Sequence, residues 1–374
     1  MSLDSPCIGV CRLADDMTCL GCHRTLSEIT NWLRYSDTEK CRVLEAVSAR
    51  RPDKPRIVSF LPAATEMAFA LGLGDHLAAV TDECDYPEKA RTKPVIVRPA
   101  LPLENLTPRE LDAAVSERLR AGQSLYTVDE TLLRRLRPDL VLTQDLCQVC
   151  APSGNELSAA LQSLHPKPEV LEMSPRSLED ILQNILDLGK AANRVQQAEG
   201  LVASARARLE NIAVRTRFQA RRPCVLFMEW ADPIYCGGHW VPELIELAGG
   251  FDALARKGTD SSRIDWQDVL DWSPEILIFS PCGFRLEKAL RQIPMLESLP
   301  GWADLPAVRH GRVFAVDADS YFARPGPRVI DGAELLAHLI HPELFSWTGP
   351  ADALQKVPSS PLVQSDEHDA MGRH

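Results

Sequence analysis

The sequence has no run of about 18 uninterrupted apolar residues, so it offers no candidate membrane-spanning helix. The opening stretch MSLDSPCIGVCRLADD lacks a basic segment followed by an apolar one, which leads us to expect a cytoplasmic protein with neither export signal nor lipid anchor. Basic charge is in deficit as well: 41 Lys and Arg face 52 Asp and Glu, for a net charge of −11. Nucleic-acid affinity rests on neutralising phosphates, so a general polyanion binder is excluded, and Arg134-Arg135 and Arg221-Arg222 read as solvated faces. No Walker loop, GxGxxG turn or GxSxG nucleophile elbow is present, which removes the usual phosphate-cradling and hydrolase motifs. Gly237-Gly238 and Gly249-Gly250 are therefore expected to serve turn geometry.

Cysteine is what the chain does have, with 11 in 374 residues. In a chain expected to stay in a reducing compartment these are thiols or metal ligands rather than a disulfide framework. Four of them, Cys7, Cys11, Cys19 and Cys22, crowd into the N-terminus as C-x3-C-x7-C-x2-C. Two close thiolate pairs are what a tetrahedral zinc site or an iron–sulfur cluster requires. A unit of some fifty residues has too little core to hold four thiols without another source of stability. Thr25 with Glu28, and Ser36 with Glu39, are capping-box signatures that predict two short helices behind the cysteines. His23 reads as a surface histidine and Cys41 as structural.

Charged, proline-punctuated residues 52–55 form a linker after a module spanning residues 1–51. Short β-branched runs then alternate with helical patterns (RIVSFL, ATEMAFALGLG, HLAAVT, PDLVLTQ, PEVLEM), predicting a parallel sheet with crossover helices over residues 56–176. Residues 177–217 read as a long helical backbone, with Leu178, Ile181, Leu182, Ile185 and Leu188 on one face and Val195, Leu201, Val202, Ala205 and Leu209 continuing it. A second α/β lobe follows over residues 218–342, through PCVLFMEW, SPEILIFSP and GRVFAVD. The polar, Pro/Ser-rich residues 343–374 are expected to be disordered. The fold class is thus α/β: two Rossmann-like lobes with parallel sheets, a long backbone helix, and a small four-cysteine metal-binding module in front.

The segment SPCIGVCRL followed by CLGCHRTLSEITNW resembles a small bacterial Cys-rich domain family of unknown function whose members are often labelled iron–sulfur proteins; its four cysteines match Cys7, Cys11, Cys19 and Cys22. From RIVSFLPAATEMAFALGLGDHLAAVTDECDYP, through LRRLRPDLVLTQ and HWVPELIELAGG, to GRVFAVDADSYFARPGPRVIDG, the body is similar to class III substrate-binding proteins, the receptors of cobalamin and siderophore importers. It looks nearest to the cobalamin-binding branch, particularly to cytosolic relatives. That resemblance implies two sheets facing each other across a cleft that holds cobalamin or another metal chelate.

In open parallel sheets, ligands bind beyond the carboxyl ends of the strands. The candidates there are Cys84, Asp85 and Tyr86 after the second strand, Cys147 and Cys150 in TQDLCQVC, Glu229, Trp230, His239 and Trp240 in MEWADPIYCGGHW, Cys282 in SPCGF, and Tyr321 and Arg324 near the end. Trp230, Trp240, Trp266, Tyr235 and Tyr321 are flat walls suited to a corrin ring or to ordinary core. Arg324 and Arg328 flank a helix start that suits either an anion or a salt bridge. Cys224, inside a strand, reads as a small hydrophobe. The leading reading is a non-enzymatic cytoplasmic carrier or sensor of a small-molecule metal chelate. The alternative is a redox or metal-handling enzyme whose centre is held by Cys84, Cys147, Cys150 and Cys282, with Glu229 or His239 as acid–base groups or further ligands. A third is an interaction scaffold in which the N-terminal module docks to a protein partner.

Overall fold

The computed structural model describes residues 5–7, 12–14, 16–19, 22–50, 55–101, 106–144, 161, 164 and 167–358. The chain divides into two compact units: Met1–Glu104, Val115–Ser174 and Gln183–Val202 form the first, and Asn105–Ala114, Pro175–Leu182 and Ala203–His374 the second.

Within the first unit, both capping boxes are formed. Glu28 N–H donates to Thr25 Oγ1 (3.2 Å) and Thr25 N–H to Glu28 Oε2 (2.8 Å) at the head of helix Leu26–Asn31. Ser36 and Glu39 repeat the exchange before helix Asp37–Arg50. Trp32, Val43 and Val47 make a small core of their own, with Tyr35 and Leu44 packed against it.

The first sheet has six strands, β1 (Ile57–Ser59), β2 (Leu77–Thr81), β3 (Val95–Pro99), β4 (Tyr126–Val128), β5 (Leu140–Thr143) and β6 (Glu169–Glu172), in the order β4-β3-β2-β1-β5-β6. The expected parallel pairing holds except at one edge, where β3 and β4 are antiparallel. β1 and β5 are wholly buried, as apolar runs covered on both faces should be. Helix Pro62–Ala70 follows β1 directly. Proline is tolerated in its first turn, and seven of its nine residues are buried, so it is an interior helix. Because β1 lies between β2 and β5, strand order reverses there, and the carboxyl ends of β1 and β5 are the switch point at which such sheets take ligands.

The expected single backbone helix is two, Leu178–Ala191 and Val195–Thr216. Asn193, at φ 55°, takes the left-handed conformation that asparagine tolerates and breaks the run. Leu178, Ile181, Leu182, Ile185 and Leu188 are buried as the periodicity requires, whereas Val195, just past the break, is exposed.

The second sheet comprises β7 (Val225–Ala231), β8 (Ile234–Cys236), β9 (Ile276–Phe279), β10 (Val313–Val316) and β11 (Leu354–Lys356), ordered β11-β10-β9-β7-β8. Its central pairs are parallel and both edges antiparallel, so the two sheets are mixed rather than parallel throughout. The expectation of disorder from residue 343 onward is corrected by β11: Gln355 pairs with Ala315, and Ala353 and Val357 are buried. A polar strand with one apolar neighbour on each side gains its burial from β10, which local composition does not reveal. Residues 359–374 lie outside the described residues.

Candidate functional site

At the carboxyl end of β7 the chain presents Glu229 and Trp230. Gly238 N–H donates to Glu229 Oε1 (3.3 Å), and the Ser261 hydroxyl donates to Oε2. Gly238 is needed for close approach rather than turn conformation: a Cβ there would lie 2.3 Å from Ser261 N. Burial outweighs both hydrogen bonds and pushes the Glu229 carboxyl up to about 7. The next residue, His239, carries the positive φ of 51° and is pinned by its N–H to Thr259 O (2.6 Å). Its Nε2 lies 3.2 Å from Asp260 Oδ1; burial lowers its pKa and Asp260 opposes that shift.

β9 leads into the same region. Cys282 is exposed and donates its backbone N–H to Glu229 O (3.0 Å), and Phe284 meets Trp230 edge to face at 5.3 Å. Trp230 Nε1 donates to Pro108 O (3.2 Å), with Arg109 paired to Asp232 and Tyr235 to Asp112 alongside. Asp319 N–H donates to Phe284 O (3.2 Å), and the Asp319 carboxylate takes a 2.7 Å hydrogen bond from Arg324. The structure thus brings Glu229, Trp230, His239 and Cys282 together at one end of the second sheet and links Arg324 to them through Asp319 and Phe284.

Two expected lining residues are corrected. Trp240 is 5% exposed and donates its indole N–H to Phe322 O (3.1 Å), which makes it core. Tyr321 is also buried, against Phe322 and Trp347, and burial raises its hydroxyl to about 12. Arg324 is buried on Asp319, the salt-bridge alternative of its two readings.

In the first unit, Cys84 is 3% exposed, with its sulfur 3.1 Å from Thr65 Oγ1 and 3.2 Å from Thr81 Oγ1. Its sulfur is thus packed between two threonine hydroxyls. Asp85 pairs with Arg91 (3.3 Å), while Tyr86 is exposed. Cys147 and Cys150 lie outside the described residues. Among the described residues no group of three or more His, Cys, Asp or Glu side chains is arranged to hold a metal ion. Sequence reasoning missed Thr143 at the end of β5 and Ser280 just beyond β9. Both hydroxyls are buried and lack a hydrogen-bond partner among the described residues. The available signal was a polar residue closing an apolar strand, in LVLT and ILIFS.

In the N-terminal module, Cys19 and Cys22 are buried. Bridges between Leu13 and Cys19 and between Thr18 and Thr25, with Cys19 N–H on Arg24 O (2.8 Å) and His23 N–H on Cys19 O (2.8 Å), tie Leu13, Thr18 and Cys19 to His23, Arg24 and Thr25. Burial, the largest single influence, works against the Cys22 thiolate, but the hydrogen bonds from Arg24 and Cys19 together with the Arg24 charge outweigh it and hold the thiol below its ordinary value. This donor set suits a thiophilic metal. Cys7 is exposed, and Cys11 lies outside the described residues.

Comparison with known proteins agrees with this architecture. Residues 5–51 match the family described as "Protein of unknown function (DUF1289)". The vitamin B12-binding protein of Vibrio cholerae serotype O1 is 27% identical over 283 residues, 75% of this chain and 86% of the relative. The crystal structure of the periplasmic vitamin B12 binding protein of Vibrio cholerae matches with a TM-score of 0.57 at 24% identity, covering 76% of this chain and 96% of that one. A periplasmic heme-binding protein from Roseiflexus matches with a TM-score of 0.58 at 24% identity, covering 77% and 98%. The family described as "Periplasmic binding protein" matches residues 57–320, so this chain belongs to the periplasmic binding protein family.

Proposed function

We propose that the body binds a large metal chelate of the corrinoid or porphyrin kind, at the loops beyond the carboxyl ends of its strands, and acts as a carrier or sensor in the cytoplasm. The observation that carries the reading is the family match over residues 57–320 with relatives named for binding vitamin B12 and heme. The rim of the second unit supplies compatible chemistry: the Trp230–Phe284 aromatic pair, an exposed thiol at Cys282, and a carboxyl at Glu229 that changes charge near neutrality. Titrating the purified full chain with cyanocobalamin, aquocobalamin and hemin, followed by absorbance and calorimetry, tests it. We expect saturable one-to-one binding of one of these classes, weakened by Trp230→Ala. No saturable binding of any chelate sinks the reading. Cell fractionation with a tagged chain tests the location.

The N-terminal module, on the same proposal, holds zinc or an iron–sulfur cluster on Cys7, Cys11, Cys19 and Cys22. The metal supplies the folding energy that the small Trp32–Val43–Val47 core lacks. Metal analysis of protein purified without oxygen distinguishes the two, and a metal-free protein of undiminished helix content removes the assignment.

A further inference from the structure

Helix Pro108–Arg120 is 13 residues long and none of them is buried, whereas helix Pro62–Ala70 buries most of its length. A helix without a buried face gains little from the hydrophobic effect, so what docks it is polar, and segments of that kind open locally at the least cost. The head of the helix is preformed. Pro108 opens the first turn, and Thr107 and Glu110 make a capping box: Thr107 N–H donates to Glu110 Oε2 (2.8 Å) and Glu110 N–H to Thr107 Oγ1 (3.3 Å). These contacts are local and ask nothing of the surface beneath.

Residues 108, 109 and 112 share one face of that turn, and each meets the hairpin of β7 and β8. Pro108 O accepts from Trp230 Nε1 (3.2 Å). Arg109 grips Asp232 with a fork, Nε to Oδ2 and Nη2 to Oδ1, both at 2.8 Å. Asp112 accepts from Tyr235 OH (3.3 Å) and from Arg263 Nη2 (3.2 Å), and Arg263 is itself bridged to Tyr235. Asn105–Ala114 groups with the second unit, so this latch lies within it. Both of its guanidinium groups stand in solvent, Arg109 at 77% and Arg263 at 57% exposure, where salt screens them. The indole held by Pro108 is the same one that pairs with Phe284 at the candidate site.

We propose that the head of helix Pro108–Arg120 is a detachable cover on the Trp230 end of the candidate site, latched through Arg109 and Asp112 and released to admit the chelate. The cover's role rests on the chelate-binding reading; the latch does not.

Hydrogen exchange followed by mass spectrometry on the full chain, as wild type, Arg109→Gln and Asp112→Asn, reads the latch without any ligand. We expect residues 108–114 to exchange roughly two- to fivefold faster in either variant at low salt, the span of an exposed ion pair. Wild type should approach the variants as ionic strength rises from about 0.01 M to about 1 M, over which the Debye length falls from ~30 to ~3 Å. Helix Pro62–Ala70, with its buried face, should respond to neither change. Equal exchange in all three proteins overturns the latch. Stopped-flow mixing with cyanocobalamin and with hemin then reads the cover. For a probe that binds wild type, association with Arg109→Gln should quicken by about the same two- to fivefold. Faster exchange with an unchanged association rate overturns the cover while leaving the chelate site standing. Binding of neither probe sinks the chelate reading and the cover together, and the exchange rates still decide the latch.

Discussion

Glu229 has a polar partner for each carboxylate oxygen, yet its pKa is pushed up to about 7 because the surroundings at the end of β7 exclude water more effectively than Gly238 N–H and Ser261 stabilise charge. The unfolded chain loses this proton near the ordinary glutamate value, so between about 4.5 and 7 the folded state holds a proton that the unfolded state has released. Stability contributed by the protonated form is therefore lost as pH rises through that window, by an amount on the order of 3 kcal/mol. Glu229→Gln keeps an oxygen to accept from Gly238 N–H, turns its amide N–H toward the Ser261 hydroxyl oxygen, and cannot ionise. Urea unfolding of the two proteins at about pH 5 and about pH 8 should show wild type losing more stability than the variant; parallel losses would sink the assignment. Asp252 sets a background for the comparison, since burial raises it to about 6 despite three backbone N–H donors, and it titrates in both proteins. The sequence pointed to Glu229 and His239 by their position after an apolar strand. It could not point to Ser261, which reaches Glu229 from 32 residues away. Trp240 was misread for a related reason: its polar N–H is satisfied by a carbonyl 82 residues distant, so an indole that could face a ligand faces the core.

Helix by helix, the clearest experiment compares two glycines. Gly189, in helix Leu178–Ala191, faces helix Val195–Thr216 so closely that a Cβ would lie 2.4 Å from the Ala198 Cβ and 3.1 Å from Arg194 O. Gly200, on the second helix, is exposed and has nothing within 4 Å of such a Cβ. Alanine in a helix interior is favoured over glycine by roughly 0.8–1.0 kcal/mol, so Gly200→Ala should stabilise by about that much. Gly189→Ala takes the same gain but must push two helices apart, and overpacking of this kind costs roughly 1–3 kcal/mol, so it should be neutral to destabilising. Thermal melts of both variants check the pair, and equal stabilisation would deny the close contact. Elements of this sort were readable where burial on both faces leaves an uninterrupted apolar run, as in β1, β5 and β9. The unread strands are β3, β4, β8 and β11, of which the last three are short antiparallel edges. An edge strand such as YTV or LQK carries little apolar pattern, and its pairing partner is set by tertiary position.

For the whole chain, the sequence showed the order of module, α/β body and helical connection, because each changes the local hydrophobic period. It did not show that Asn105–Ala114 groups with the second unit, which depends on contacts such as Arg109 with Asp232 at 2.8 Å, 123 residues apart. The boundary at residues 52–55 yields the broadest prediction. The two family matches stop at residue 51 and resume at residue 57. The module's core of Trp32, Val43 and Val47 shares no residue with the core of Val58, Phe60, Ile96 and Val141 beneath the first sheet. Among the described residues, removing residues 1–54 therefore deletes one hydrophobic cluster intact and cuts into none of the other, so the remaining body should stay soluble, unfold cooperatively within a few degrees of the full chain, and match the full chain in the proposed chelate titration. The competing expectation has a physical basis too, since the module's residues fall inside the first compact unit. If that grouping reflects shared packing, the truncated body exposes apolar surface and aggregates or melts far earlier, whereas a body that keeps its melting midpoint makes the module a separately folding unit.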